Sequence, residues 1–374
     1  MSNEPTVPIK PTVLHVLNAS DAGGLTSYVL NVGRALLENG WRVIVATDRG
    51  AWHDRLIAGG FEVLELPITR GFSGFRQSVK MLRERLKGQR IDLIHSHYRK
   101  STHLARRFQK SRAVNERPPI LYTLHLSHIN VKGWRRWMTD FGDHVHIASE
   151  DAREWMTKDA RVPPERITCV PHGIDPSLWP ITTADDRARA RRELNLHPDA
   201  TVMLFVGRLD YPKNEMWVID AHQAARRTIP NLQTLIVGDG PNRTQLESIV
   251  KYLNRVHLLG ERNPLSAYRA ADLFVLPSER EGFSYVCCEA MSSGLAILRT
   301  RTSGTSETVI ENVTGKSVPI DHDIFEKTAV EMLRDPKRLA EMGRNAARHV
   351  RDHLTFDRQI HRTLDLYRSL AKLG

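Results

Sequence analysis

Cysteine is scarce. The 374 residues include three, Cys169, Cys287 and Cys288, which offer neither a disulfide framework nor the paired spacing of a metal site. Long apolar runs are missing too: no stretch reaches the roughly 20 residues that span a bilayer. The opening segment, MSNEPTVPIKPTVLHVLN, is proline-rich and polar. It lacks the charged start, apolar stretch and cleavage site of a signal peptide, so a cytoplasmic protein is expected. The G-x-G-x-x-G fingerprint is absent from the first strand end, which removes support for a dehydrogenase. Helix-turn-helix, zinc-finger and aromatic RNA-platform patterns are absent as well, so no nucleic-acid partner is expected.

Charge is plentiful and uneven. The net charge is +11. Residues 1–184 carry 26 Lys/Arg and 18 Asp/Glu, which gives 26 − 18 = +8; residues 185–374 give 28 − 25 = +3. A basic excess of this kind implies attraction to something anionic (nucleic acid, a lipid headgroup surface or a phosphorylated substrate), with simple solubility as the plainer alternative. With 41% hydrophobic residues the chain can build two cores, for domains of roughly 150 to 200 residues each.

Short apolar strands alternate with amphipathic helices, the pattern of parallel sheets covered on both faces. In the first half strands read at 13–18, 42–47, 61–67, 92–97, 120–125, 144–149 and 167–173. A helix spans Thr26–Asn39 and closes on Gly40, where a left-handed residue is wanted. After the polar stretch ITTADDRARARRELNLHPDA the pattern restarts, with strands at 201–207, 233–239, 256–260, 273–278 and 295–300. Helical segments run from about Asp321 to Leu373. Two doubly wound units follow from this, divided near residue 184, with ligands at the carboxyl ends of their strands and a natural site in the cleft between them.

Four strand-end turns in the second half carry the chemistry. Gly207-Arg208-Leu209-Asp210-Tyr211-Pro212-Lys213-Asn214 puts two cations beside a helix start, the neutralisation a diphosphate needs where no metal is bound. Val237-Gly238-Asp239-Gly240-Pro241 allows a close backbone approach. Ser278-Glu279-Arg280-Glu281-Gly282-Phe283-Ser284 runs into a helix that carries Glu289, and the two acids are 289 − 281 = 8 residues apart. Glu281 is expected at the helix entrance and Glu289 about two turns on, where a carboxylate can accept hydrogen bonds from the vicinal hydroxyls of a ribose. Arg301-Thr302-Ser303-Gly304-Thr305-Ser306-Glu307 completes the rim. In the first half, Gly23 and Gly24 open a helix after the first strand, where backbone can approach an anion.

The segments VPHGID, FVGRLDYPKN, LIVGDGP, ADLFVLPSEREGFSYVCCEAMSSG and SGTSETV, with the DAGGLTSY loop and the TLH strand end, resemble glycosyltransferase family 4 over nearly the whole chain. The resemblance implies an α/β chain of GT-B fold: two doubly wound Rossmann-like domains facing a central cleft. An acceptor domain (1–184), a donor domain (185–355) and a last helix (356–374) crossing back to the first domain are expected. It implies sugar transfer from a nucleotide sugar with retention of configuration, in envelope or exopolysaccharide synthesis, onto a glycan, lipid-linked or small-molecule acceptor. Arg208 and Lys213 match the basic pair on the donor diphosphate. Glu289 matches the ribose-binding acid and Glu281 the acid near the sugar. Phe283 and Ser284 offer backbone N–H groups, Gly238 lines the donor, Gly23 and Gly24 close over the diphosphate, and His125 matches the histidine near the sugar. Three positions depart from the family pattern, Ala296, His172 and Leu25, and touch packing more than chemistry. A sugar-nucleotide epimerase of the same fold is the enzyme alternative; a basic nucleic-acid-binding protein is the alternative of another class.

No cofactor and no metal are expected. His95 and His97 sit at a strand end, but no third ligand at matching spacing is evident. Asp321-His322-Asp323 precedes a helix and reads as a cap. Residues Phe75–Arg90 form an amphipathic helix with an apolar stripe of Phe75, Val79, Leu82 and Leu86 under a basic face. Together with Lys132–Trp137 it suggests contact with an anionic membrane surface, against the plainer reading of a helix packed on the sheet.

Overall fold

The structure is a computed structural model that describes residues 10–21, 23–125, 131 and 138–373. The chain divides into two compact units. Unit 1 comprises Met1–Ile147, Arg153–Val170 and Ile360–Gly374; unit 2 comprises Ala148–Ala152 and Pro171–Gln359.

In unit 1 the described residues form a seven-stranded parallel sheet. Its strands are β1 (Thr12–Ala19), β2 (Arg42–Asp48), β3 (Glu62–Glu65), β4 (Leu93–Ser96), β5 (Ile120–Leu124), β6 (His144–Ile147) and β7 (Ile167–Cys169), in the order β3-β2-β1-β4-β5-β6-β7. The chain winds outward from β1 in one direction and from β4 in the other, so the switch point lies between β1 and β4. Central strands buried on both faces should read as continuous apolar runs. Val13, Leu14, Val16, Leu17, Leu93 and Ile94 are fully buried as that rule requires, yet so are His15 and His95 in the same strands.

Unit 2 repeats the plan with β8 (Thr201–Val206), β9 (Leu232–Val237), β10 (Val256–Gly260), β11 (Leu273–Leu276), β12 (Ala296–Thr300) and β13 (Gly315–Val318), in the order β10-β9-β8-β11-β12-β13. Its switch point lies between β8 and β11. The sequence pattern gave every strand here except β13, whose four residues, GKSV, hold no apolar run. Gly315 is needed there, because a Cβ would lie 2.0 Å from the Ile297 carbonyl oxygen on the neighbouring strand.

The units part at Val170–Pro171, earlier than the expected residue 184. Hydrogen bonds explain why. Thr182 donates its N–H (3.1 Å) and hydroxyl (2.9 Å) to the Ser293 carbonyl, Ser292 donates to the Trp179 carbonyl (2.7 Å), and Ile174 N–H donates to Leu354 O (3.0 Å). Residues 171–184 are thereby stitched to unit 2. The last helix, Phe356–Ala371, belongs to unit 2 through Gln359 and to unit 1 from Ile360.

The basic helix also shifts. It spans Gly71–Arg85, four residues ahead of the expected start at Phe75. Glycine permits the early turn: a Cβ on Gly74 would lie 2.3 Å from the Pro67 carbonyl oxygen. The expected stripe does face the core, with Leu82 and Leu86 buried and Phe75 and Val79 packed against them. The apolar side chain left in solvent is Phe72, 77% exposed. Residues Lys132–Trp137 lie outside the described residues. Asp321 caps its helix as expected, its side chain accepting the Ile324 N–H at 2.9 Å.

Candidate active site

The loops after β8 and β11 flank the switch point of unit 2, where doubly wound sheets hold their ligands. Lys213 follows β8 and Glu281 follows β11. Lys213 Nζ donates to Glu281 Oε1 at 2.7 Å, with the two side chains 21% and 9% exposed. The loops are also tied by backbone, Glu279 N–H donating to Pro212 O at 2.8 Å. The side chain of Asn214 donates to Pro277 O (3.1 Å) and Glu279 Oε1 (3.2 Å). Arg208 stands on the same loop with its side chain 69% exposed, Nη2 paired with Asp210 Oδ2 at 2.5 Å.

Gly238 and Gly240 let the loop after β9 lie on the loop after β8. Gly238 has φ +141°, and a Cβ would lie 1.9 Å from Gly207 O; one on Gly240 would lie 2.4 Å from Leu209 O. No other residue fits at Gly238.

Glu281 sits in the loop ahead of the helix Tyr285–Ser292, not at its entrance; Ser284 is the N-cap, in extended conformation. Phe283 and Ser284 meet the fourth loop, since a Cβ on Gly304 would lie 3.3 Å from Phe283 Cα and 3.6 Å from Ser284 N. Glu289 lies on the helix and accepts a hydrogen bond from the Tyr268 hydroxyl at 2.9 Å. Burial pushes the Glu289 carboxyl above its usual range and that hydroxyl works against the shift.

Two contributions, Tyr268 and Arg299, escaped the sequence reading, and one departure it noted, His172, finds its place here. Tyr268 is fully buried, and its bond to Glu289 crosses 21 residues. Arg299 is fully buried, and among the described residues no carboxylate pairs with it. It donates to Gly304 O (2.9 Å), Thr308 Oγ1 (3.0 Å), Thr302 Oγ1 (2.6 Å) and Ser303 O (3.1 Å), which fixes the loop after β12. His172 stacks on Tyr285 with ring centroids 5.4 Å apart and meets Phe283 edge-on at 5.3 Å, so this departure from the family pattern packs beside the acidic motif.

Two family models match successive stretches of this chain and between them cover most of it. The model described as "Glycosyltransferase Family 4" matches residues 22–178, and "Glycosyl transferases group 1" matches residues 186–349. The chain belongs to glycosyltransferase family 4. Among its curated relatives is the D-inositol 3-phosphate glycosyltransferase of Corynebacterium efficiens, 27% identical over 89% of this chain and 87% of the relative. The glycosyltransferase of Rickettsia africae shares the fold with a TM-score of 0.85 at 17% identity, covering 98% of this chain and all of that one. Alr3699/HepE of Anabaena, solved with UDP and glucose, gives a TM-score of 0.77 at 20% identity, covering 96% and 99%. The family 4 enzyme described here is thus a transferase with the GT-B fold.

In its unit 1, Gly23 has φ +148°, no described residue would lie within 4 Å of a Cβ placed on it, and Gly24 begins the helix Gly24–Glu38. His125 follows β5 and is partly exposed. The third imidazole that the sequence did not reveal is His15. Ring nitrogens of His15, His95 and His97 lie within 4.8 Å of one another. Both nitrogens of His95 are already hydrogen-bonded, Nδ1 to the Tyr367 hydroxyl and Nε2 to Thr123 Oγ1 at 2.5 Å. Burial holds these rings neutral, with His15 and His125 lowered to about 3, His146 to about 4, and His95 and His97 well below the ordinary histidine value.

Proposed function

We propose that the protein is a retaining glycosyltransferase that takes a sugar from a nucleoside-diphosphate sugar held by unit 2. The observation that carries this reading is the 2.7 Å contact between Lys213 and Glu281 at the switch point of the second sheet. An ammonium and a carboxylate paired there are matched to two parts of one ligand. Lys213, with Arg208, would turn to the diphosphate, and Glu281 would then accept hydrogen bonds from sugar hydroxyls. Glu289 takes the ribose. Gly238 leaves room for the nucleotide, and the N–H groups of Phe283 and Ser284 face the donor.

In the reaction the bond from the anomeric carbon to the phosphate oxygen breaks. The bond to the acceptor oxygen forms on the same face, and the acceptor's proton passes to the departing phosphate. Negative charge grows on that phosphate and is met by Arg208, Lys213 and backbone N–H groups. No metal and no cofactor are needed in this reading. The family resemblance would give Gly23 and Gly24 to the diphosphate and His125 to the sugar. The acceptor is a glycan, a lipid-linked or a small molecule of envelope or exopolysaccharide synthesis. The relatives named for inositol phosphate and the +8 charge of residues 1–184 make phosphorylated acceptors worth testing first.

The test is a thermal-shift and transfer panel of UDP-, GDP- and ADP-sugars. UDP-glucose comes first, because HepE was solved with UDP and glucose. One donor is expected to raise the melting temperature, and Lys213→Ala is expected to abolish that shift while the unliganded protein still melts cooperatively. Activity should survive EDTA. A panel in which no donor stabilises the protein sinks the assignment.

A second reading concerns location. Phe72 projects into solvent beside Arg76, Lys80, Arg83 and Arg107, which line one open hollow with it. An exposed aromatic among cations suits an anionic membrane surface at the cytoplasmic face.

A further inference from the structure

Unit 1 gathers five histidines in one region: His15, His95, His97 and His146 are buried, and His125 is partly exposed. β1 and β4 pair with His15 opposite His95. Side chains alternate along a strand, so His95 and His97 share a face with each other and with His15. Tyr28 covers His95 and His97 edge-on at 6.0 and 5.8 Å, and Tyr367 meets His95 at 5.6 Å. Two separate hydrogen-bonded chains run through the cluster, and neutral imidazoles let their directions be worked out, since each ring then donates once and accepts once.

The first chain has an anchor. His146 Nε2 contacts Val170 O at 2.9 Å, and a carbonyl only accepts, so the proton is on Nε2. His146 Nδ1 therefore accepts from Thr123 Oγ1 (2.9 Å), Thr123 accepts from His95 Nε2, and His95 Nδ1 accepts from the Tyr367 hydroxyl. Every donor along it is used.

The second chain is His15, His97, His125. His15 Nδ1 lies 3.0 Å from His97 Nε2, and His97 Nδ1 lies 3.0 Å from His125 Nε2. His15 Nε2 is buried and has no partner among the described residues. Two directions are open. If protons ran from His125 towards His15, that atom would be a buried N–H with nothing to bond. If they run the other way it is a bare lone pair, the cheaper omission, since orphaned buried N–H groups are the rarer defect. The direction is then His15 Nδ1–H to His97 Nε2, and His97 Nδ1–H to His125 Nε2.

We propose that His97 and His15 are positioning residues for His125. They hold its ring by Nε2 and leave its proton on Nδ1, so that His125 meets the sugar as a hydrogen-bond donor and not as a base. This rests on the reading of His125 as a sugar contact. It assigns work to two histidines buried behind the site.

The experiment uses the full chain labelled with 15N-histidine. Long-range proton–nitrogen spectra distinguish the two tautomers, with His125 assigned from the His125→Gln variant. His125 is expected to show the Nδ1–H pattern. His97→Asn, whose amide N–H stands where Nδ1–H was, should retain that pattern. His97→Leu should lose it, with kcat falling about 10- to 100-fold on the nucleotide sugar that the panel identifies and the donor KM changing less than threefold. An Nε2–H pattern on His125 overturns the proposal, as does an unchanged kcat in His97→Leu. So does stoichiometric zinc in the purified protein that His15→Ala removes, because the metal would take the same nitrogens. The spectra read the tautomer whether or not any donor binds, so failure of the donor panel and failure of the relay are separate results.

Discussion

In the proposed function Glu289 would bind the ribose, a task that needs a carboxylate held still, and Tyr268 holds it by a hydrogen bond. The phenol is fully buried and its proton is kept in place, since burial and the neighbouring acid both push its ionisation well above the ordinary tyrosine value. Hydrogen bonds to charged groups are worth roughly 1.5–3 kcal/mol, so Tyr268→Phe should weaken donor binding about 10- to 100-fold. Isothermal titration with the UDP, GDP or ADP sugar that binds the intact protein measures this; affinity within twofold of the parent would show that Glu289 does not depend on Tyr268. The acidic pair and the basic pair were singled out by their strand-end turns and the family resemblance, which the spacing of the two acids alone would not have done. Tyr268 was not, because a tyrosine in SAYRAAD carries no sign of whether its hydroxyl is buried or what it faces. Arg299 was hidden for the same reason: in LAILRT it reads as the polar end of a strand, and only the folded loop from Thr302 to Thr308 surrounds it with acceptors.

At the scale of the element, the helix Gly71–Arg85 shows how far periodicity reaches. The 3.6-residue repeat placed Phe75, Val79, Leu82 and Leu86 on one face, and that face is packed. The repeat did not give the start, because Gly71 and Gly74 are poor helix formers by propensity; Gly74 is required where the helix passes close to the Pro67 carbonyl. The early start matters: it exposes Phe72, the apolar residue on which a membrane contact would depend. Co-sedimentation with vesicles of phosphatidylcholine and 30% phosphatidylglycerol (a composition of about the anionic content that polybasic surfaces read) is expected for the intact protein. Phe72→Ser combined with Arg76→Glu and Arg83→Glu should abolish it at an unchanged melting temperature. Equal sedimentation of the two proteins would remove this helix from the membrane reading. The edge strand β13 escaped because four residues with a glycine and a lysine carry no period at all; its pairing to β12 alone defines it.

For the whole molecule, the histidines of unit 1 link stability to pH. Their folded values are depressed, with His15 and His125 at about 3 and His146 at about 4, while an unfolded histidine titrates near 6.5. Above pH 6.5 both states are neutral at these sites and stability is full. As pH falls from 6.5 towards 3 the unfolded chain takes up protons that the folded chain refuses, so stability is lost across that window. At pH 5.5 each such histidine costs about 1.4 kcal/mol, and with His95 and His97 the loss reaches several kcal/mol. Scanning calorimetry at pH 7.5 and 5.5 should show a melting transition that moves down by roughly ten degrees or more. A transition that stays in place between the two pH values would mean that these rings are not held neutral.

The order of elements, the two doubly wound sheets, the strand-end turns and the family motifs came from the sequence alone, because each depends on neighbours within a few residues: a period, a glycine, a cap. The pairs at the candidate site came only from the tertiary structure. Lys213 and Glu281 are 68 residues apart and His15 and His97 are 82 apart. What joins them is the order of strands across a sheet, β8 beside β11 and β1 beside β4. That order is set by how whole helices and strands pack, and local sequence does not encode it.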